Sequence, residues 1–190
     1  LKTIVSVNTA ADLTTKFDKV LLIGADLRNP QIHKFLNISK DSEKGISDYI
    51  FDNSNNWRDY IINYNNLDII LSGTIPPNPA QLLSSEKFGK FINEVKNEYD
   101  YVVIDSAPCL LVSDTFEISK YTDTTLYVVR SNFSEIQLFE FINECKNEGK
   151  LPNLNVIFNS VGNSSSYGYK YGYQYGYKYS YKYGYNYRYG

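Results

Sequence analysis

Short apolar runs that each end at a small or polar residue recur along this chain, and they restrict it to an α/β fold. Val20-Leu-Leu-Ile23 runs into Gly24-Ala25-Asp26, Leu67-Asp-Ile-Ile-Leu71 into Ser72-Gly73, and Tyr101-Val-Val-Ile104 into Asp105. Thr125 to Val129 and Asn155 to Phe158 are two further strands. Near-continuous apolar runs of this length read as strands buried on both faces, as in a parallel sheet. Helical spacing lies between them. Ile4, Val5, Ala11 and Leu13 place a helix within Lys2 to Phe17, and Leu82, Leu83, Phe88, Phe91, Ile92 and Val95 place one over Ala80 to Asn97. Glu135 to Asn147 is a third helix, and a short one is expected near Ser47 to Phe51 in the otherwise polar, asparagine-rich stretch 31–66. Strands alternating with helices mean βαβ units and a parallel sheet flanked by helices. Ligands of such sheets bind beyond the carboxyl ends of the strands. Here that edge carries Asp26 and Arg28, Gly73, Asp105 and Asn159.

The end of the chain obeys a different rule. Tyrosine occupies every second position at Tyr167, Tyr169, Tyr171, Tyr173, Tyr175, Tyr177, Tyr179, Tyr181, Tyr183, Tyr185, Tyr187 and Tyr189, which is 12 of the 19 tyrosines in the sequence. Glycine, lysine and other polar residues fill the alternate positions, so the segment has no aliphatic face to offset the entropy of ordering. The division expected is a folded domain over residues 1–162 and a flexible tyrosine-rich tail over 163–190. Composition alone leaves open whether that tail is a sticky low-complexity segment or an array of acceptor hydroxyls.

Charge separates the same two parts. The tail carries Lys170, Lys178, Lys182 and Arg188 and no acid, so the net charge of -2 leaves -6 on residues 1–166. An acidic body argues against a general nucleic-acid surface. The two cysteines, Cys109 and Cys145, have neither disulfide-framework density nor metal-ligand spacing, which fits core packing in a reducing compartment. No apolar run approaches the roughly 20 residues needed to span a bilayer, and no signal peptide is visible. The sequence contains no methionine, so it is expected to be a fragment or a processed product.

Five residues carry candidate phosphate chemistry. An aspartate ending a buried strand, as Asp105 does, can hold magnesium beside a phosphate, or can simply cap the next segment. Asp26 poses the same choice against a turn before Asn29-Pro30. Arg28 has the charge and position to pair with a phosphate or with Asp26. Lys2-Thr3 at the head of a helix matches the last two residues of the phosphate-binding loop G-x-x-x-x-G-K-[ST], although Leu1 stands where its last glycine belongs.

The stretch Val20-Leu-Leu-Ile-Gly-Ala-Asp-Leu-Arg-Asn-Pro30 is followed by Lys44-Gly-Ile-Ser-Asp-Tyr-Ile50 and by Ser72-Gly-Thr-Ile-Pro-Pro-Asn-Pro-Ala-Gln-Leu-Leu-Ser-Ser85. Tyr99-Asp-Tyr-Val-Val-Ile-Asp-Ser-Ala-Pro108 and the tyrosine cluster come next. In this order, over nearly the whole chain, they resemble the bacterial tyrosine kinases, the cytoplasmic kinase domains of capsular and exopolysaccharide export systems. The resemblance implies a P-loop NTPase-like fold of the deviant Walker type, related to cell-division and partition ATPases. It also implies use of ATP and Mg2+, and transfer of the γ-phosphate to tail tyrosines between subunits of a homo-oligomer. Further implications are partnership with the polysaccharide export machinery and a membrane chain-length domain, and a place at the cytoplasmic face of the inner membrane.

By position, Lys2 and Thr3 match the end of Walker A, and Asp26 and Arg28 the second Asp and the Arg of the extra D-x-D-x-R motif. Asp105 matches Walker B, and Asn159 the adenine-side residue. This implies catalytic roles for Lys2, Asp26 and Arg28, nucleotide binding by Lys2, Thr3 and Asn159, and metal binding by Thr3, Asp26 and Asp105. The tail tyrosines match the phosphoacceptors.

Two departures qualify the match. Gly24 stands where the extra motif has its first aspartate. The strand that enters the phosphate loop is missing from this sequence, so poor ATP binding and low stability of the isolated chain are expected. Gly24 and Leu1 favour one alternative, a catalytically inactive ATPase-like scaffold. The other, a non-kinase partition-type ATPase, would share the fold but explains neither Asp26-Leu-Arg28 nor the tyrosines.

Overall fold

The structure, a computed structural model, describes residues 2–39, 44–52, 56–131 and 137–161. Leu1 and the tyrosine cluster lie outside the described residues. Helix α1 (Lys2–Leu13) leads into strand β1 (Val20–Ala25), followed by α2 (Ile32–Phe35), α3 (Ile46–Phe51) and a 3₁₀ turn at Trp57–Tyr60. Strands β2 (Ile62–Tyr64) and β3 (Leu67–Ile70) precede α4 (Pro79–Leu83) and α5 (Glu86–Glu98). The chain continues through β4 (Tyr101–Ser106), α6 (Asp114–Ser119), β5 (Thr125–Arg130), α7 (Gln137–Asn147) and β6 (Leu154–Asn159). No helix among the described residues is long and apolar enough to cross a membrane.

The first four strands form one sheet in the order β2-β3-β1-β4, and β5-β6 form a second. β1 is parallel to β3 (Leu22 beside Ile69) and to β4 (Gly24 beside Asp105), and β5 is parallel to β6. β2 is the exception. It runs antiparallel to β3 because Asn65 and Asn66, at φ 49° and 66°, make the left-handed two-residue turn that closes a hairpin. β2 and this turn lie in the polar stretch 31–66, where the sequence leads one to expect only a short helix near Ser47 to Phe51.

All six residues of β1 are buried, and its period-2 alternation feeds two cores. Val20 and Leu22 join Val7, Ala10, Ile32, Ile69 and Leu71 under α1 and α2. Leu21 and Ile23 join Ile70, Trp57, Phe88, Phe91, Ile92 and Val95 under α5. The helix expected over Ala80 to Asn97 is two helices. Ser85 ends the first by taking an extended conformation, and its side chain accepts a hydrogen bond from Phe88 N, capping α5. Cys109 and Cys145 are free and buried with Leu151 in a third small cluster, as core residues. Burial raises the Cys109 thiol to about 11, which keeps it protonated and inert near neutral pH.

Candidate phosphate and cation site

Parallel pairing of β1 with β4 sets Gly24 beside Asp105 and Ala25 beside Ser106, so both strands end at one edge. The amino terminus of α1 packs over that edge, and its first two residues reach down to it. Lys2 Nζ donates to Asp26 Oδ2 at 2.7 Å and lies 3.6 Å from Asp105 Oδ1. Thr3 Oγ1 donates to Asp105 Oδ2 at 2.8 Å, and Ser6 Oγ to Asp105 Oδ1 at 3.3 Å. Asp26 Oδ1 accepts from the backbone N–H groups of Arg28 (3.3 Å) and Asn29 (3.0 Å). Both carboxylates are 2% exposed. Burial pushes the Asp105 carboxyl above its ordinary range, and the Lys2 ammonium and the Thr3 hydroxyl oppose that shift.

Lys2, Thr3, Asp26 and Asp105 are therefore brought together at one sheet edge. Two buried carboxylates sharing one ammonium leave the cluster with an unbalanced negative charge, which favours a further cation. Hydroxyl and carboxylate oxygens are the hard donors that Mg2+ prefers. Among the described residues no group of three or more His, Cys, Asp or Glu side chains is assembled for a metal. Mg2+ at phosphate sites needs only one or two carboxylates, with water and phosphate supplying the rest. The donor set fits that mode rather than a protein-only cage.

Arg28 reaches the same edge but not the expected partner. Its Nε and Nη2 donate to Asp114 Oδ2 and Oδ1 at 2.7 and 2.9 Å, a bidentate pair with a carboxylate that is 0% exposed. Its side chain thus straps the loop after β1 to the first turn of α6. Asp114 carried no local signal, since it lies 86 residues from Arg28. Ser6 was legible in principle, one turn beyond Lys2-Thr3 on the same helix face. Asn159 ends β6 in the other sheet, where its Oδ1 accepts from Ser160 N at 2.6 Å. Among the described residues it shares no hydrogen bond with the Lys2–Asp105 group.

The Lys44–Ile50 and Ser72–Ser85 motifs prove to be one interlocked unit. Asp48 Oδ2 accepts from Gly45 N (2.8 Å) and Thr74 N (3.1 Å), while Ser47 Oγ donates to Thr74 O at 2.6 Å. A Cβ on Gly45 would lie 2.2 Å from Leu71 O, and Gly73 holds φ +76° with Asp48 against it. Both positions exclude any side chain. These contacts fix the start of the proline-rich loop against α3.

Residues 1–154 match the AAA domain family. The chain is 34% identical over 132 residues to the tyrosine-protein kinase ptk of Acinetobacter johnsonii, an alignment covering 68% of this chain and 18% of that protein. This chain thus spans about a fifth of the length of that curated relative. The solved VpsO kinase domain superposes with a TM-score of 0.75 at 31% identity, over 83% of this chain and 77% of that one. The septum site-determining protein MinD of Pyrococcus horikoshii, solved with Mg-ADP, superposes at TM-score 0.68 and 20% identity over 86% of this chain and 67% of that one, which speaks for the fold. The chain belongs to the AAA domain family and, within it, to the bacterial tyrosine kinases, with the α/β fold of the MinD and ParA type of P-loop ATPase.

Proposed function

We propose that the polypeptide is an ATP-dependent protein-tyrosine autokinase that phosphorylates the cluster Tyr167 to Tyr189 and thereby regulates capsule or exopolysaccharide assembly. One observation supports this above all: Lys2, Thr3, Asp26 and Asp105 converge on one sheet edge in a chain that also carries twelve alternating tyrosines. When bound, Mg2+ supplies charge neutralisation at the transferring phosphoryl group. Thr3, Asp26 and Asp105 would hold it. The Lys2 ammonium, now shared by two carboxylates, would turn to the β and γ phosphates of the substrate ATP. Asp26 would face the incoming phenol, whose ordinary pKa near 10 calls for activation. The tyrosine oxygen bonds to the γ-phosphorus, the bond to the ADP oxygen breaks, and the phenolic proton is released. Asn159 is assigned to the adenine side and Arg28 to holding the loop that carries Asp26.

Twelve acceptors on one tail keep acceptor concentration high at a neighbouring subunit's site, which supports transfer within a homo-oligomer. Each phosphate adds about -1.5 to -2 charges, so a few convert the basic tail to an acidic one that the acidic body repels. The membrane chain-length domain and the export machinery are the partners this reading implies, at the cytoplasmic face of the inner membrane. The test is to incubate the full encoded polypeptide with MgATP and map phosphotyrosine by mass spectrometry. Phosphate on the Tyr167–Tyr189 segment is expected. MgATP hydrolysis without phosphotyrosine would instead point to a partition-type ATPase, and neither product to an inactive scaffold.

A further inference from the structure

We propose that the Ser72 hydroxyl is a further group of this site and holds a water of a hydrated divalent cation, an inference that rests on the nucleotide-site reading above. Gly24 is paired in register with Asp105, so its missing side chain would point to the face that carries the Asp105 carboxylate. A Cβ built there would lie 2.8 Å from Ser72 Oγ, which places that hydroxyl on the same face. Ser72 is 4% exposed, and its Oγ makes no hydrogen bond among the described residues. A buried hydroxyl without a partner is costly, and a native chain keeps one where a ligand or water completes it. The residue's fixed position does not depend on the hydroxyl, because Ser72 O already accepts from Ser47 N at 3.1 Å.

The chemistry of the neighbours selects the ligand. Asp105, Asp26 and Thr3 present oxygen donors to a hard cation, and Mg2+ at phosphate sites retains several waters. A serine hydroxyl accepts from such a water and orients it, as groups around metal ligands commonly do. The absence of a side chain at Gly24 is what lets Ser72 approach. Any residue larger than glycine would meet Ser72 N at 3.0 Å and Ile32 Cδ1 at 3.2 Å as well.

The experiment measures ADP binding to the full encoded polypeptide by calorimetry, with Mg2+ and with chelator, for the unsubstituted protein and for Ser72→Ala and Ser72→Cys. Ser72→Ala is expected to weaken Mg2+-dependent binding about tenfold, with chelator binding and melting temperature unchanged. Ser72→Cys, similar in size but a weaker hydrogen-bonding group, should fall between. Unaltered Mg2+-dependent affinity in Ser72→Ala would overturn the proposal. An equal loss with and without Mg2+ would also overturn it, because that pattern marks a phosphate contact or a structural role. Unsubstituted protein that binds ADP equally with and without Mg2+ would overturn this proposal while leaving the nucleotide reading standing. No ADP binding at all would remove both.

Discussion

β1 and β5 are both six-residue apolar parallel strands, yet they live in different surroundings. β1 has a strand on each side and a helical layer on each face, and every one of its residues is buried. β5 pairs with β6 alone among the described residues; only Val129 is buried, and Leu126 is 46% exposed. β4, paired with β1 alone among the described residues, is intermediate, with Asp105 its one buried residue. An apolar run therefore announces a strand, but neighbours decide how much of it is removed from water. The site follows the better-covered side: Lys2, Thr3, Asp26 and Asp105 all lie on the β2-β3-β1-β4 half, and Asn159 on the other. The groups that need fixed geometry stand on the more deeply buried sheet.

The largest test of that contrast is Phe91→Ala against Phe158→Ala in the full encoded polypeptide. Phe91 is fully buried and touches the rings of Tyr49, Trp57 and Phe88, so its truncation should cost about 3–5 kcal/mol in denaturant unfolding. Phe158 is 56% exposed and stacks on Phe139 alone among the described rings, and its truncation should cost about 1 kcal/mol or less. Similar losses at the two positions would break the comparison.

The Arg28–Asp114 strap gives the next effect. Asp114→Ala leaves a three-quarters-covered guanidinium without its buried carboxylate, an expected loss of about 2–3 kcal/mol after allowing for the solvent that still reaches Arg28. Arg28→Met with Asp114→Leu should recover most of that loss, since an apolar pair of similar size carries no desolvation cost. A double variant no more stable than Asp114→Ala would show that the pair's charge is not the issue.

Much of this architecture was legible. The strands at Val20, Leu67, Tyr101, Thr125 and Asn155 were recognisable because apolar runs bounded by small or polar residues have few other uses. Asp26 and Asp105 were legible as acids at strand ends, and Lys2 and Thr3 as the last two residues of a phosphate-loop motif. What stayed hidden depends on contacts between distant segments. Asp114 is an ordinary helix-start acid until Arg28 reaches it, and the Ser85 cap divides a helix whose apolar spacing continues through it. The Asn65-Asn66 hairpin did carry a local turn signal, which the polar composition around it obscured. Ser72 read only as a turn residue, because nothing in sequence shows that Gly24 opens space beneath it.

A smaller effect concerns pH. The Asp105 carboxyl is raised by burial, so the folded chain binds this proton more tightly than the unfolded one does. Its contribution to stability is present at acid pH, below the ordinary carboxylate pKa, and is lost as pH rises through the raised value. Asp105→Asn keeps an oxygen to accept from Thr3 and removes that loss. In thermal melts without nucleotide the variant should gain stability over the parent as pH rises from the acid range towards neutrality. A gain that shrinks with rising pH would contradict the sign.

The most direct test compares the full encoded polypeptide with its Lys2→Met variant, each incubated with MgATP, by quantifying phosphotyrosine in the Tyr167–Tyr189 segment. Abundant phosphate is expected in the parent and a loss of about a hundredfold or more in the variant, with the fold intact by circular dichroism. Equal tail phosphorylation in both would place the chemistry elsewhere and contradict the account.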